Sequence, residues 1–395
     1  MTVVISDYAG AMDALRQRDL RQSLYDEGAV IMSRVLVNLH GEEHRQRRSV
    51  ESQVFRRDFF RYYETEVFPR TLEECLSPYL ATGRLDLVEF GYRVLVNLTA
   101  DFTGIDRPAN STDATETLMA MLRLFSRTAI LAHSTVDRDA IRREALDALD
   151  TFETDFVKPS IAHRTMLLHD LDNGRLMEGD LPRDILMVLL RKRSELDLPD
   201  DVLTREMAFF ALAGAHTSIH TLTHAVHEIF QWAADPAALV DDPLLLQRCV
   251  LESIRLHPSS PIAARRSLCP VALDTVSIDE GERVEISLEM ANRDERVFGT
   301  DAASFNPQRD LGKGISPYGL SFGMGMHACL GLNLAAGTLP RDDTDPARHH
   351  YGTVTLIIRE LLAHGLHPDP KRPPAKDPTT ARDLWGTYPT LLDAP

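Results

Sequence analysis

A cysteine, a histidine and several glycines lie close together in one short segment of the chain, SFGMGMHACLGLNLAAG. Cys329 stands just before the helix-forming end of this segment, and a helix N-terminus stabilises a thiolate through unpaired N–H groups and the helix dipole. Gly323, Gly325 and Gly331 let the backbone turn sharply and come close to a flat partner. Phe322 adds an aromatic wall. The combination indicates a thiolate bound to a metal beneath a large planar ligand, with haem iron the obvious case; the alternative is a glycine-rich turn with a buried thiol.

A second segment, AFFALAGAHTSIHTLTHAVHEIF, predicts the middle of a long helix with one distinctive stripe. The stripe follows i, i+3, i+4, i+7 and i+11 spacing and consists of Phe210, Ala213, Gly214, Thr217 and Thr221. Small side chains at Ala213 and Gly214 would let a planar cofactor and dioxygen approach the backbone. Phe209 and Phe210 would cap an apolar pocket. Thr217 can donate a hydrogen bond to dioxygen or hold a proton-relaying water; its alternative role is a hydrogen bond to a carbonyl one turn earlier.

Four histidines of the same helix are spaced four, four and three residues apart: His216, His220, His224 and His227. Histidines four apart share a helix face, so the spacing is compatible with a zinc or copper site. The interpretation that the sequence favours is a face that packs against neighbouring helices or meets solvent.

The elements that must position these residues are mostly helices. Apolar residues recur at helical spacing in DYAGAMDALRQ, FFRYYETEVFPRTLEECLSPYL, ATETLMAMLRLFSRTAILA and RREALDALDTFETDFVKPSI. Strand-like alternation is confined to VALDTVSI and RVEISLEM, which we expect to form a hairpin about the turn at 279–281. The long helix is predicted from an N-cap at Thr204, with Glu206 in its first turn, to the stop at Asp235-Pro236. The next helix is predicted from Asp242 to just before Pro258.

Composition narrows the class of protein. The chain has 395 residues, of which 44% are hydrophobic and 26% charged, as in soluble globular proteins, and we expect a single domain over 1–395. A net charge of −16 argues against a general nucleic-acid binder. The lack of an ~18-residue apolar run and of a signal peptide predicts a cytoplasmic protein without a membrane anchor. Four scattered cysteines without a CxxC pair argue against a disulfide framework or a zinc ribbon.

The segment Phe322-Gly323-x-Gly325-x-His327-x-Cys329-x-Gly331 resembles the haem-binding loop of cytochromes P450. Further motifs resemble that family in the expected order. They are the C-helix segment GEEHRQRRSVESQVF, the AGAHT of the distal I helix, the Glu252-x-x-Arg255 of the K helix, and the meander ANRDERVFGTDAASFNPQRD with Arg309. The resemblance runs from about Val3 to the C-terminus. It implies the mainly α cytochrome P450 fold, with a small β portion, for a protein of the soluble bacterial type.

The resemblance also implies a heme b cofactor, iron protoporphyrin IX, with Cys329 as the axial ligand of its iron. Contacts to the haem propionates are implied for His44, Arg48, Arg265 and His327. His44 and Arg48 are four residues apart and share a helix face, although the same spacing would suit an exposed basic turn. Glu252 and Arg255, three apart, can pair, and the resemblance adds Arg309 to a structural ion network.

The implied activity is that of a monooxygenase that hydroxylates or dealkylates a small to medium apolar substrate. Dioxygen would be activated beside Ala213, Gly214, His216 and Thr217. The pocket would be lined by Phe209, Phe210, Ile262 and Ala263. Two alternatives remain open: a peroxide-driven or oxidative-coupling enzyme of a biosynthetic pathway, and a non-catalytic haem-thiolate sensor or ligand-binding protein.

Three departures from the family pattern affect these expectations. Most members carry an acid before the distal threonine, where this chain has His216, so proton delivery by an acid–alcohol pair is in doubt. The opening VVISDYAGAMDALRQRDLRQ resembles a segment that normally lies further into the family, so its N-terminal helix and first strands are expected to be missing. After Cys329, the segment GTLPRDDTDPARHHYG predicts an inserted loop where a helix should continue.

The sequence has no dinucleotide-binding GxGxxG after a strand, so electrons for oxygen reduction are expected from an external donor such as ferredoxin and its reductase. The basic segment HRQRRSVESQVFRR is a candidate docking surface. Its arginines Arg45, Arg47, Arg56 and Arg57 could steer an acidic partner, and a solvated basic helix face is an equally good interpretation.

Overall fold

The computed structural model of the chain describes residues 2–107, 112–274, 276–341 and 343–393, without the side chains of Arg57 and Thr112. Helices dominate, as the hydrophobic periodicity predicts. They are α1 (Tyr8–Arg16), α2 (Ala29–Met32), α3 (Gly41–Glu51), α4 (Arg57–Tyr62), α5 (Phe68–Leu80), α6 (Leu87–Thr103), α7 (Thr112–Ala129), α8 (Arg138–Phe152), α9 (Lys158–Asp172), α10 (Ile185–Arg191), α11 (Arg193–Leu196), α12 (Asp200–Trp232), α13 (Pro243–Leu256), α14 (Leu288–Ala291), α15 (Glu295–Phe298), α16 (Leu332–Ala336) and α17 (Thr353–Ala363). Among the described helices, none has both the length and the hydropathy needed to cross a bilayer.

The β portion is small. Its strands are β1 (Thr2–Ile5), β2 (Leu20–Gln22), β3 (Arg84–Asp86), β4 (Ile262–Ser267), β5 (Val271–Leu273), β6 (Val276–Ile278), β7 (Arg283–Ser287), β8 (His367–Pro368), β9 (Ala375–Lys376), β10 (Trp385–Thr387) and β11 (Pro389–Leu391). The largest sheet has the order β1-β7-β4-β2, with β1 parallel to β7 and the other pairs antiparallel. The N-terminal region therefore contributes two strands, and helix α1 lies between them in the chain. A second sheet has the order β3-β11-β8, and β5–β6 and β9–β10 form two-stranded pairs.

The predicted hairpin between VALDTVSI and RVEISLEM is wrong. The first segment is itself a hairpin, in which β5 pairs with β6; Thr275, between these strands in the sequence, lies outside the described residues. Strand β7 instead lies in the interior of the large sheet, because Val284 and Ile286 are fully buried there. Its register with β4 pairs Val284 with Arg265, which places that arginine in the middle of the sheet.

Helix α12 is the longest element, and its 33 residues span roughly 50 Å. The predicted N-cap at Thr204 is wrong, because the helix begins four residues earlier, after Pro199, with Asp200 and Asp201 in its first turn. Thr204 is buried inside the helix. The prediction for α13 is confirmed: the Asp242 carboxylate accepts a hydrogen bond from the Leu245 N–H at 3.0 Å, and the helix ends at Leu256.

The inserted loop after α16 is confirmed, and it interrupts what would otherwise be one helix. Gly337 and Gly352 stand at the two ends of the loop with positive φ, and a Cβ on Gly352 would lie 2.3 Å from the Gly337 nitrogen. Glu64 accepts a hydrogen bond from the Tyr351 N–H at 3.0 Å, and the Gln247 side chain donates to the Ala336 carbonyl at 2.9 Å. The loop includes Asp342, which lies outside the described residues.

Helices α6 and α12 lie close together at Gly214. A Cβ on this glycine would lie 2.5 Å from Cγ2 of Thr99, which is closer than real Cβ contacts allow. The sequence had suggested that the small residue opens the backbone to a planar cofactor. In the structure, the space that a side chain at Gly214 would need is filled by α6. Close helix packing is therefore sufficient reason for glycine at this position.

We expect Gly214→Ala to lower the free energy of unfolding by about 1–3 kcal/mol, because the new methyl group overpacks the α6–α12 contact. Thr99→Ala removes the obstructing Cγ2, so the double variant should recover most of the loss. Urea denaturation of the four proteins measures this coupling. Equal losses in the single and double variants would contradict the packing explanation.

Candidate functional site

Cys329 lies at the N-terminal end of α16, as the sequence predicts. Its backbone N–H donates to the Phe322 carbonyl at 2.8 Å, which closes the loop between them. Gly325 has φ +67°, and a Cβ there would lie 2.8 Å from the carbonyl oxygen of Leu15 in α1. The glycine is therefore required both by its left-handed backbone and by the close approach of α1.

The Cys329 thiol combines an enclosed position with accessible surface. Burial raises its pKa, while backbone N–H groups of Gly331 and Leu332 and the nearby Arg48 guanidinium oppose that shift by favouring the thiolate. The residue is nevertheless exposed, and its neighbours in the loop are mostly half-buried. The sulfur thus borders open space within the fold, next to partners that stabilise negative charge.

Five basic side chains converge on one side of this loop: His40, His44, Arg48, Arg265 and His327, here called the basic cluster. The His44 and His327 rings are 4.7 Å apart between centroids. Burial lowers the pKa of His327 to about 3, and the charges of the other four members add to that shift. Burial also lowers the pKa of His44 to about 4, with the Arg48 charge contributing. Both imidazoles are therefore neutral near pH 7.

Several donors of the basic cluster have spare hydrogen-bonding capacity. Within the described residues, Nε2 of His44 and Nε2 of His327 are buried without a hydrogen-bond partner. Arg265 is buried, and its Nη1 donates to Gln22 Oε1 at 2.7 Å; burial lowers its pKa to about 10. Arg48 donates to the carbonyl of Ala328, directly before the cysteine. Such a set of buried donors suits an anionic partner, above all carboxylates.

His40 was missed by the sequence interpretation, although a signal was present. It precedes His44 by four residues, just as His44 precedes Arg48, so all three share one face at the start of α3. The same four-residue spacing that selects His44 and Arg48 therefore selects His40 as well.

The structure brings Glu252, Arg255 and Arg309 together. Arg255 and Glu252 form a bidentate pair, with Nε–Oε2 at 2.8 Å and Nη2–Oε1 at 2.7 Å. Arg309 Nη2 reaches the same Glu252 Oε1 at 3.1 Å. All three side chains are at most 5% exposed, so each charge depends on the others. Arg255 also donates to the carbonyls of Asn292 and Ala302, which attaches the network to the segment that precedes the cysteine loop.

Asn292 connects this ion network to the cysteine loop through its side-chain amide. Sequence inspection did not identify this residue. Its amide donates to the Arg255 carbonyl at 3.0 Å and to Ser321 Oγ at 2.9 Å, and its oxygen accepts from the Leu320 N–H at 2.7 Å. Ser321 in turn donates to the Ile254 carbonyl. The amide therefore links the end of α13 to the start of the cysteine loop. Its location within the meander motif was the available signal.

On α12, Thr217 is exposed although the residues around it are buried or half-buried. Its hydroxyl donates to the Ala213 carbonyl at 2.7 Å, and its own carbonyl accepts from Ser259 Oγ at 3.2 Å. The back-bonding alternative for Thr217 is thus realised, and the accessible hydroxyl still has lone pairs available.

His216 points to a different side of α12. Its Nδ1 lies 3.5 Å from the Tyr92 hydroxyl of α6, and it lines a cavity of about 230 Å³ together with Arg123 of α7 and Asp377 of the β9–β10 loop. Burial lowers the pKa of His216 to about 4, with the Arg382 charge contributing, so the imidazole is neutral near pH 7.

The predicted pocket residues fall into two groups. Phe209 is half-buried on α12, and Ile262 is half-buried at the start of β4. Phe210 is buried, with its ring 6.1 Å from that of Phe55, and Ala263 is buried in the core around α1. Phe210 and Ala263 therefore contribute to core packing in the structure.

His224 and His227 of the histidine ladder contact the C-terminal β portion, whereas the favoured interpretation expected neighbouring helices or solvent. His224 Nε2 lies 2.8 Å from the Asp383 carbonyl, and His227 Nδ1 lies 3.0 Å from the Tyr388 hydroxyl. Burial lowers the pKa of His224 to about 3, with the stacked His257 ring contributing.

Comparisons with known proteins agree with this geometry. The family model described as Cytochrome P450 matches residues 238–339. Biotin biosynthesis cytochrome P450 of Bacillus subtilis (strain 168) is 29% identical over 153 residues, which cover 39% of this chain and 37% of that protein. The crystal structure of CalO2 has a TM-score of 0.77 at 20% identity and covers 99% of this chain and 90% of its own. P450BioI, solved with an acyl carrier protein, has a TM-score of 0.75 at 18% identity, covering 99% and 91%.

The chain is similar to cytochromes P450 in sequence over residues 238–339. Its mainly α fold with a small β portion is that of the P450 structures. The match to the B. subtilis relative spans well under half of that protein's length. P450 family members bind heme b through a cysteine thiolate.

The residues present fit heme b. The exposed Cys329 would supply the thiolate, and the unpartnered Nε2 atoms of His44 and His327 would be available as donors for the two propionates. Arg48 and Arg265 add positive charge to the same place. Heme b carries the anionic groups that this buried, positively charged cluster lacks.

One expectation about the surface for an electron donor is wrong. Arg47 was counted among the arginines that steer an electron donor, but it is 2% exposed and lies between α3 and α12. Its Nε is 3.0 Å from Glu51 Oε1, and its Nη2 is 2.5 Å from Glu206 Oε2. Burial raises the pKa of both carboxyls, and the Arg47 charge opposes that rise. Glu206, expected in a first turn, is therefore part of a buried ion network.

The other arginines of that surface differ from Arg47. Arg45 and Arg56 are exposed, and Arg45 forms an ion pair with Glu42 on the same helix. The side chain of Arg57 lies outside the described residues. The basic surface is accordingly smaller than the sequence suggests.

We expect Arg47→Met to lower the free energy of unfolding by about 3–5 kcal/mol, because it leaves the buried carboxyl groups of Glu51 and Glu206 without their cationic partner. Arg45→Met is the matched control and should leave stability nearly unchanged, since its ion pair is exposed. Thermal and urea denaturation measure both. A small loss of stability in Arg47→Met, together with weaker binding of a redox partner, would contradict the buried network and indicate that Arg47 belongs to the docking surface.

Proposed function

We propose that this chain is a haem-thiolate monooxygenase. It binds heme b through Cys329, takes electrons from an external donor such as ferredoxin and its reductase, and uses dioxygen to hydroxylate or dealkylate a small to medium organic substrate. We propose that residues 1–395 form one domain for this purpose. The observation that carries the proposal is the accessible Cys329 sulfur beside two backbone N–H groups, with the basic cluster next to it. Bound heme b supplies the redox-active iron that activates dioxygen.

Cys329 would bind the iron as a thiolate at the N-terminal end of α16, and because burial raises the pKa of the free thiol, its deprotonation accompanies metal binding. The N–H groups of Gly331 and Leu332 point to the sulfur and offset the cost of burying negative charge. Phe322, Gly323 and Gly331 shape the loop around it. The loop therefore determines how strongly the thiolate donates electron density.

The basic cluster holds the cofactor in place. His44 and His327 donate from Nε2 to the propionates, and Arg48 and Arg265 neutralise their charge. Binding of the two carboxylates raises the pKa of the histidines from the low values that burial imposes. Glu252, Arg255 and Arg309 act at a distance, as positioning residues for the loop.

The distal side is formed by α12. Thr217 presents its hydroxyl to the space where Ala213 leaves room for dioxygen, and Gly214 allows α12 to lie close to α6. His216 takes the sequence position of the usual acid. As a neutral imidazole beside the Tyr92 hydroxyl, it accepts and passes on a proton without holding negative charge. Asp377 lines the same cavity and supplies the carboxylate for this route.

The substrate lies between α12 and the start of β4. Phe209 and Ile262 are half-buried there and provide apolar contacts, with Phe210 and Ala263 packed behind them. Dioxygen and electrons enter this reaction from outside the chain. Of the four arginines named for the docking surface, Arg45 and Arg56 are the ones whose described side chains are exposed to an acidic electron donor.

We expect Cys329→Ser to abolish the red-shifted Soret band of the reduced, CO-treated protein, because the band requires thiolate ligation. Cys269 is a half-buried cysteine outside the cysteine loop, so Cys269→Ser is the matched control and should keep the band. Absorption spectra of the two variants, at equal haem content, make the comparison. A band that persists in Cys329→Ser would disprove the assignment.

We expect Thr217→Ala to divert electrons from product to peroxide several-fold, because the accessible hydroxyl is lost from the dioxygen side. Thr221→Ala removes a hydroxyl with the same back-bonding one turn later, but that side chain is buried, so coupling should change little. Electron consumption, peroxide and product are measured with a ferredoxin system. Unchanged coupling in Thr217→Ala would count against its role.

A further inference from the structure

Arg382 is a buried arginine without an acidic partner. It lies in the loop between β9 and β10 and is 8% exposed. Its Nη1 donates to the Ser259 carbonyl at 2.9 Å. Its Nε and Nη2 are buried and have no hydrogen-bond partner among the residues that the structure describes. An arginine stays protonated, so this side chain places an unneutralised positive charge and three spare N–H groups inside the protein.

The acidic residue next to it is engaged elsewhere. The Asp383 carboxylate forms an ion pair with Lys376 Nζ at 2.7 Å. Burial lowers the pKa of Arg382, and the described group that opposes this shift is the half-buried Tyr25 phenol. A phenol is neutral near pH 7 and does not balance the charge.

Arg382 lies beside the distal part of the site. The Ser259 carbonyl accepts a hydrogen bond from Arg382, and the Ser259 hydroxyl donates one to the Thr217 carbonyl. Ser259 therefore connects the guanidinium to the exposed threonine of α12. The charge of Arg382 also lowers the pKa of His133, His216 and His220, which surround it from two other elements. Neutral histidines on these sides leave the positive charge without compensation.

We propose that Arg382 binds a carboxylate of the substrate, so that the enzyme acts on apolar organic acids. This inference rests on the proposed function and deepens it, because it names the substrate class of the same site. The carboxylate accepts hydrogen bonds from Nε and Nη2, and the apolar body of the acid contacts Phe209 and Ile262. The pairing holds the substrate by one end and leaves its far carbon atoms beside Thr217.

The test compares carboxylates with their neutral amides. The full haem-loaded chain is titrated by calorimetry with octanoate and octanamide, and with 4-butylbenzoate and 4-butylbenzamide. We expect at least one carboxylate to bind about 10- to 100-fold more tightly than its amide, as for a hydrogen-bonded charge pair. Arg382→Met should remove this preference, and Arg382→Lys should keep part of it because it keeps the charge.

Arg266→Met is the matched control, because Arg266 is an exposed arginine of β4 that donates to the Gly281 carbonyl. It should leave the preference intact. The inference is overturned if no carboxylate binds more tightly than its amide, or if Arg382→Met retains the preference. If Arg382→Met does not fold, an undiminished preference in Arg382→Lys overturns it as well, because an ammonium group cannot donate from two nitrogens as the guanidinium does.

The calorimetric result is independent of the monooxygenase assignment. A protein that shows the Arg382-dependent preference but lacks the CO band of thiolate ligation would disprove the proposed function and leave the carboxylate site standing. A protein that shows the CO band but lacks the carboxylate preference would overturn the carboxylate site and leave the proposed function standing.

Discussion

A single buried carboxylate, that of Glu252, holds two guanidinium groups that come from distant parts of the chain. Arg255 lies on the same helix, while Arg309 comes from the segment that leads to the cysteine loop. None of the three charges can be removed without leaving the others unbalanced in a medium of low dielectric. Asn292 and Ser321 extend this constraint to the start of the loop. The position of the Cys329 sulfur therefore depends on an ion network that has no contact with the reacting atoms.

Buried arginines in this protein fall into two classes. Arg47 and Arg164 each lie between two acidic side chains, so their charges are balanced within the fold. Arg265 and Arg382 are equally buried, but no such pair is found for them among the described residues. In a chain with a net charge of −16, acidic partners are not scarce. Positive charge left unbalanced in the interior is best explained by anions that bind there: the propionates at Arg265 and, by our inference, a carboxylate at Arg382.

Sequence inspection succeeded where the chemistry is local. The cysteine loop, the Glu252–Arg255 pair and the His44–Arg48 spacing are short patterns, and helical periodicity located most of the helices. It failed where a residue's role depends on a distant partner. From the sequence alone, Arg47 is interpreted as a surface charge, because its partner Glu206 lies far away in the chain, on α12. Gly214 is interpreted from the sequence as leaving space for a planar cofactor, but in the fold Thr99 of α6 fills that space. Arg382 lies in a loop without periodicity, and only the fold brings it next to Ser259.

The central claim is that the Cys329 sulfur is the protein's ligand to haem iron. Iron X-ray absorption spectroscopy of the haem-loaded resting protein measures the first coordination shell directly. We expect one sulfur neighbour in that shell, which disappears in Cys329→Ser. A shell made of nitrogen and oxygen alone in the unaltered protein would contradict it.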